Sequence, residues 1–245
     1  MNDRPIAFFD SGIGGSTILK EVIKVLPNEK YIYYPDTYNN PYGNKSKEEL
    51  FDIVDCAIRK LLVYNPKIIV CACNTATAMV LNDIRDKYKD IIFVGTEPSV
   101  KVVFDKYSDL NSLILTTKGT GESERFKDLY FKYKTKKSVL VEAPLLASII
   151  ENNEDCYSYL CDLLSDFKDI DLVVLGCTHF PLVKDDIKKI LGDVKFVDGR
   201  VGIAKRINQI LMDYDMFNDN GFDIDILCDN EKIKKRILDI LDNSL

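Results

Sequence analysis

Residues 68–78 read IIVCACNTATA and residues 173–183 read VVLGCTHFPLV, and what these two stretches share decides the fold. Each is an apolar run that reaches a cysteine, then a threonine, then a stretch with helical spacing. A short apolar run without polar alternation predicts a strand buried on both faces, as in a parallel sheet covered by helices. A strand that feeds a helix puts the linking residues at the carboxyl end of the sheet, where open α/β folds take up ligands. Cys73-Asn74-Thr75 and Cys177-Thr178-His179 therefore read as one device used twice, with two thiols facing one pocket.

Working outward, the same alternation continues in both directions. Ile6 to Phe9 predicts a strand that ends in Asp10-Ser11-Gly12-Ile13-Gly14-Gly15, followed by a helix from Thr17. Strand, glycine-rich turn and helix together offer backbone N–H groups to an anion, although neither a dinucleotide fingerprint nor a phosphate loop is present. Tyr31 to Tyr34 predicts the next strand, and a turn-rich loop leads through Pro41, Tyr42 and Gly43. Ser46 with Glu49 predicts a capping box and a helix to about Tyr64. One helix is expected from Thr75 to Tyr88, then a strand from Ile91 to Val94.

A second cycle follows. Strands are expected at 112–115, 138–141, 172–175 and 195–197, with a helix after Thr120 running to about Tyr133 and a short helix carrying Glu151. The alternating run from Phe222 to Leu227 predicts an edge strand before a final charged helix. Alternating strands and helices imply an α/β fold of mostly parallel sheets flanked by helices.

Composition bounds the function. With 245 residues, 46% of them hydrophobic and 29% charged, the chain can bury a substantial core. A net charge of −6 without a basic patch argues against nucleic acid and anionic membranes as partners. No apolar run reads as a signal peptide or a membrane span, so a cytoplasmic protein is expected. The seven cysteines lack the regular spacing of a secreted framework and are expected to be reduced. Cys56, Cys71, Cys156, Cys161 and Cys228 read as small buried hydrophobes.

Cys73 and Cys177 differ because they stand where strands end. A cysteine at a helix N-terminus is expected to have a lowered pKa and thiolate character. His179 is the only histidine and lies two residues from Cys177. Asp10 ends the first strand and points into the same crevice or caps the helix that follows. Three chemistries fit these residues: a symmetric reaction that uses both thiols, a hydrolase built on one cysteine with histidine as base, and a metal site of Cys71, Cys73, Cys177 and His179. The Cys-x-Cys and Cys-x-His spacings suit zinc poorly.

The motifs then fall into a known order. FDSGIGG at 9–15, PYGNKS at 41–46, ACNTATA at 72–78, KGT at 118–120 and GCTHFPL at 176–182 resemble the glutamate racemases, cofactor-independent enzymes that make D-glutamate for peptidoglycan. The resemblance implies Cys73 and Cys177 as the two catalytic bases, one thiolate and one thiol, on opposite faces of the substrate Cα. It implies Asp10 as support for the first cysteine, and Glu151 and His179 for the second. It implies substrate contacts from Asp10, Ser11, Tyr42, Gly43, Asn74, Thr75, Thr120, Thr178 and His179, with no cofactor and no metal.

It further implies two pseudo-symmetric α/β domains with the site in the cleft between them, residues 1–96 with 206–245 and residues 97–205, and a homodimer. Family members activated by a cell-wall precursor carry an N-terminal extension that this sequence lacks, so that regulation is not expected. An aspartate-preferring racemase and a catalytically weak binding relative remain alternatives. The family pattern is left at Glu97-Pro98-Ser99, at 121–126 and at 143–148.

Overall fold

The apolar runs are strands in a computed structural model that describes residues 3–218 and 220–242. The first half carries β1 (Ile6–Asp10), α1 (Ser16–Val25), β2 (Lys30–Pro35), α2 (Lys47–Leu62), β3 (Ile68–Cys71), α3 (Asn74–Met79), α4 (Leu81–Lys87) and β4 (Phe93–Gly95). The second carries α5 (Val100–Lys106), β5 (Ser112–Thr116), α6 (Lys118–Glu122), α7 (Glu124–Tyr133), β6 (Ser138–Glu142), α8 (Leu146–Glu151), α9 (Tyr157–Leu164), β7 (Leu172–Gly176), α10 (Lys184–Leu191) and β8 (Lys195–Val197). The chain then adds α11 (Arg200–Asp213), β9 (Asp223–Ile226) and α12 (Glu231–Asp242).

Two separate sheets result, with strand orders β4-β3-β1-β2-β9 and β6-β5-β7-β8, and every pairing is parallel. Alternation along β1 explains why it is apolar throughout. Ile6 and Phe8 enter the core shared with α1 and α11, while Ala7 and Phe9 enter the core shared with α2 and α3. In the second sheet Leu113 and Leu115 face one core and Ile114 the other, and β7 divides Val173 and Leu175 from Leu172 and Val174 in the same way.

Strand order fixes where ligands can bind. In each sheet the order of strand addition reverses at its middle: β1 is flanked by β2 on one side and β3 on the other, β5 by β6 and β7. The crevice outside the carboxyl ends at such a reversal is the expected ligand position. In the first sheet it is bounded by Asp10 and Cys73, in the second by Thr117 and Cys177, each at or just beyond a strand end.

Local chemistry places most boundaries and moves two. Ser46 caps α2, accepting from Glu49 N–H at 3.2 Å while Glu49 accepts from Ser46 N–H at 3.0 Å. The single helix expected from Thr75 to Tyr88 is two helices: Val80, at φ −131° and ψ −11°, turns the chain so that Leu81 and Ile84 reach the core of Ile69 and Phe93. The helix expected after Thr120 also breaks. Ser123 is extended there, accepts from Phe126 N–H at 3.2 Å and donates to Thr120 O at 2.8 Å, which starts α7 afresh.

Cysteine burial differs from expectation as well. Cys71 and Cys156 are buried, but Cys56 is exposed on α2, and Cys161 and Cys228 are only half-buried. All seven are free thiols. Among the described residues no helix is long and apolar enough to cross a membrane.

The tail returns to the first sheet. β9 pairs with β2, and α11 and α12 pack on α1. A dry ion pair anchors this return: Lys67 Nζ lies 2.6 Å from Glu29 Oε2 and donates to Met216 O at 2.7 Å. Glu29 Oε1 accepts from Asn218 N–H at 3.0 Å.

Candidate active site

The first half of the site is built by the turn after β1. Asp10 is fully buried and its Oδ2 accepts from Gly15 N–H at 2.8 Å, which curls residues 11–15 around the carboxylate. A side chain at Gly15 would stand 2.7 Å from Asp10 Cβ and 2.9 Å from the Tyr33 hydroxyl, so glycine is required for this close turn. Tyr33 supports it by donating to Gly12 O at 2.5 Å. Burial raises the Asp10 carboxyl above its ordinary range, opposed by the nearby His179.

Cys73 follows β3 and caps α3, its Sγ accepting from Ala76 N–H at 3.5 Å. The expected drop in pKa does not follow. Burial pushes this thiol well up, and the Asp10 charge adds to the rise. One long N–H···S contact on a six-residue helix does not offset removal from water. Cys71 turns into the core, donates to Cys73 O at 3.6 Å, and burial pushes its pKa up to about 12. Among the described residues, no three His, Cys, Asp or Glu side chains converge as metal ligands would.

The second half follows β7. Cys177 is 7% exposed and Cys73 is 5% exposed, so both are screened from bulk water. His179 Nδ1 lies 3.8 Å from Cys177 Sγ, and its Nε2 lies 2.7 Å from Glu151 Oε2. Burial alone would lower the imidazole pKa; the hydrogen bonds to Cys177 and Glu151 reverse this and hold it well above the ordinary histidine value. Cys177 is close enough to Cys73 for their charges to interact.

Bonds between the two sheets' loops close the cleft. Thr178 donates to Asp10 Oδ2 at 3.3 Å, and Thr17 donates to Thr178 O at 3.2 Å. Ile13 N–H donates to Glu151 Oε2 at 2.9 Å. On the other side, the Thr75 hydroxyl lies 3.0 Å from that of Thr117 and 3.3 Å from that of Thr120. Gly119 passes so near Gly43 that an added Cβ would come 2.8 Å from Gly43 O. These hydroxyls and N–H groups form a buried, lysine-free set of donors suited to carboxylates.

Asp10, Ser11, Tyr42, Gly43, Cys73, Asn74, Thr75, Thr120, Cys177, Thr178 and His179 therefore lie at strand ends or in the turns and first helical residues that follow them, and Glu151, at the end of α8, reaches the same place through His179 and Ile13. Tyr42 turns its hydroxyl away, donating to Asp36 Oδ2 at 2.7 Å, so what it offers the cleft is backbone. Two contributors were not read from sequence. Thr117 caps α6 and meets Thr75, which its place directly after β5 signals. Asn40 donates to Ser11 O at 3.1 Å, steadying the Asp10 turn, and only the fold reveals that.

The family model for Asp/Glu/hydantoin racemases matches residues 34–205. A glutamate racemase of Clostridium novyi (strain NT) is 40% identical over 216 residues, 85% of this chain and 83% of the relative. One from Clostridium perfringens (strain ATCC 13124) is 37% identical over 253 residues, 100% of this chain and 92% of the relative. The crystal structure of glutamate racemase from Francisella tularensis subsp. tularensis SCHU S4 in complex with D-glutamate superposes with a TM-score of 0.82 at 26% identity, covering 100% of this chain and 96% of that one.

Proposed function

The chain belongs to the Asp/Glu/hydantoin racemase family, and we propose that it interconverts L- and D-glutamate with Cys73 and Cys177 as the two bases. The observation that carries this reading is the pair of buried thiols just beyond the carboxyl ends of β3 and β7, one in each sheet, among loops that bond across to each other. Inverting Cα requires a base on one face and an acid on the other. A thiolate takes the α-proton and becomes a thiol. The opposite thiol gives its proton to the other face and is left as thiolate. The two cysteines have exchanged states, and the reverse reaction runs them back.

The surroundings of the two thiols differ. Burial and Asp10 favour the neutral thiol at Cys73. At Cys177 an imidazole held above its ordinary value stands 3.8 Å from the sulfur, with Glu151 behind it. Ser11, Asn74, Thr75, Thr117, Thr120 and Thr178, with backbone N–H groups of the Tyr42-Gly43 turn, are the proposed donors to the two substrate carboxylates. Neither thiol step calls for a cofactor.

The same reading assigns residues 1–96 with 206–245 to one domain and 97–205 to the other. The two sheets and the packing of α11 on α1 support it, with the return crossing in the first turns of α11. It also makes the protein a cytoplasmic homodimer whose D-glutamate supplies peptidoglycan synthesis.

The test is proton exchange. L-Glutamate incubated with the protein in D2O should gain deuterium at Cα as D-glutamate accumulates, read by NMR and optical rotation. No exchange with either enantiomer would overturn glutamate as substrate, and exchange with aspartate alone would name the substrate instead.

Gly14 offers a second check. A Cβ there would stand 2.5 Å from His179 Nδ1 and 2.6 Å from Thr178 Oγ1. Gly14→Ala must therefore displace the imidazole, and kcat should fall by roughly 10²-fold, the usual cost of moving a catalytic group by about 1 Å. An unchanged kcat would put His179 outside the chemistry.

A further inference from the structure

We propose that Arg236, on the last helix, is a positioning residue for the Cys177 half of the site; the inference rests on the two-cysteine reading above. Arg236 Nη1 donates to Glu151 O, and Nη2 donates to Ile150 O at 2.8 Å. Those are the last two carbonyls of α8. Terminal carbonyls lack intrahelical partners, and a planar guanidinium meets two of them at once at the negative end of the helix.

The anchor is rooted elsewhere. Ile237, the next residue, is fully buried in the core that contains α1, and Lys20 of α1 donates to Ile240 O at 2.5 Å. Glu151 is thus gripped twice from the first sheet's side. Ile13 N–H holds its carboxylate, and Arg236 holds its main chain. From Glu151 the path continues to His179 Nε2 and from Nδ1 to Cys177.

The contact is selective. A cavity of about 420 Å³ beside Arg236 is also lined by Glu154, Asp155, Asp186 and Asp239, yet the guanidinium pairs with none of these carboxylates and takes two neutral carbonyls. A cation placed only for charge balance would turn to the acids. This one sets the end of α8, and with it the direction of the Glu151 carboxylate.

Arg236→Gln and Arg236→Lys test the assignment in the full-length protein. Arg236→Gln should lower kcat about tenfold with KM within about twofold, since the relay loses alignment while the carboxylate donors stay in place. The groups facing His179 are Cys177, Glu151 and Asp10. Loosening Glu151 removes one support of the imidazolium, so the alkaline limb of kcat against pH should move to lower pH. Arg236→Lys should restore part of kcat and return the limb towards wild type. Adding Arg236→Gln to Glu151→Gln should cost less than about twofold more, because the path is already cut.

A lowered melting temperature with an unmoved pH profile would overturn the inference and make Arg236 a strut. A full tenfold loss on top of Glu151→Gln would overturn it too. Wild-type protein that fails to racemise glutamate would instead sink the function, so the two failures are distinguishable.

Discussion

Cys73→Ala and Cys177→Ala are each expected to lose racemisation by roughly 10³- to 10⁴-fold, the scale of a lost acid–base catalyst. Inversion needs both faces, so neither residual thiol can complete it. Each single variant still keeps one base, however. In D2O each should wash deuterium into Cα of one enantiomer without inverting it, and the two variants should act on opposite enantiomers. That complementarity follows from two thiols on two sheets facing one cleft. The double variant should do neither. Racemisation within tenfold of wild type in either single variant would remove that cysteine from the mechanism. Loss of both exchange and inversion only with Cys73→Ala, and full activity with Cys177→Ala, would point to one-thiol chemistry.

Lys67→Met is expected to be the most damaging change away from the site. The Lys67 side chain has 0% exposure, and that of Glu29 has 3%. Burial lowers the lysine pKa, with Glu29 opposing the fall, as expected for an ammonium whose stabilisation depends on its partner. Removing one member of a buried pair leaves the other charged, dry and unpaired, at about 3–5 kcal/mol. Met216 O loses its donor as well. The midpoint of thermal unfolding should drop by roughly 10 °C in a chain of this size. Combining Lys67→Met with Glu29→Leu should recover part of the loss, since an apolar pair of similar volume carries no stranded charge. A single-variant loss under about 1 kcal/mol would mean the pair is wet, on the scale of exposed ion pairs.

The fold is legible wherever burial on both faces writes an unbroken apolar run: β1, β3, β5 and β7 stand close to where the sequence predicts them. Asp10, Cys73 and Cys177 are legible as strand-end residues for the same reason. What is not legible depends on partners distant in the chain. Thr117 reads as an ordinary cap until Thr75 is placed 3.0 Å away, and Arg236 reads as one charge among many on an amphipathic helix. Val80 interrupts a helix because of the core that Leu81 must reach, which no local propensity records, whereas the Ser123 break rests on a serine cap whose place only the packing of Phe126 singles out. The sign at Cys73 reverses for a similar reason: helix position is a sequence property, but burial is not.

The unequal company of the two cysteines, a carboxylate beside one and an imidazole–carboxylate pair beside the other, has a thermodynamic limit. Mirror-image substrates have the same free energy in water, so the equilibrium constant of the reaction is one. Both directions cross the same barrier from the same starting level, and kcat/KM is set by that difference alone. The lopsided architecture therefore cannot favour one enantiomer in kcat/KM, nor can any substitution in it. Its asymmetry is confined to how tightly each enantiomer is held and how fast it turns over once bound, two quantities that must differ by the same factor.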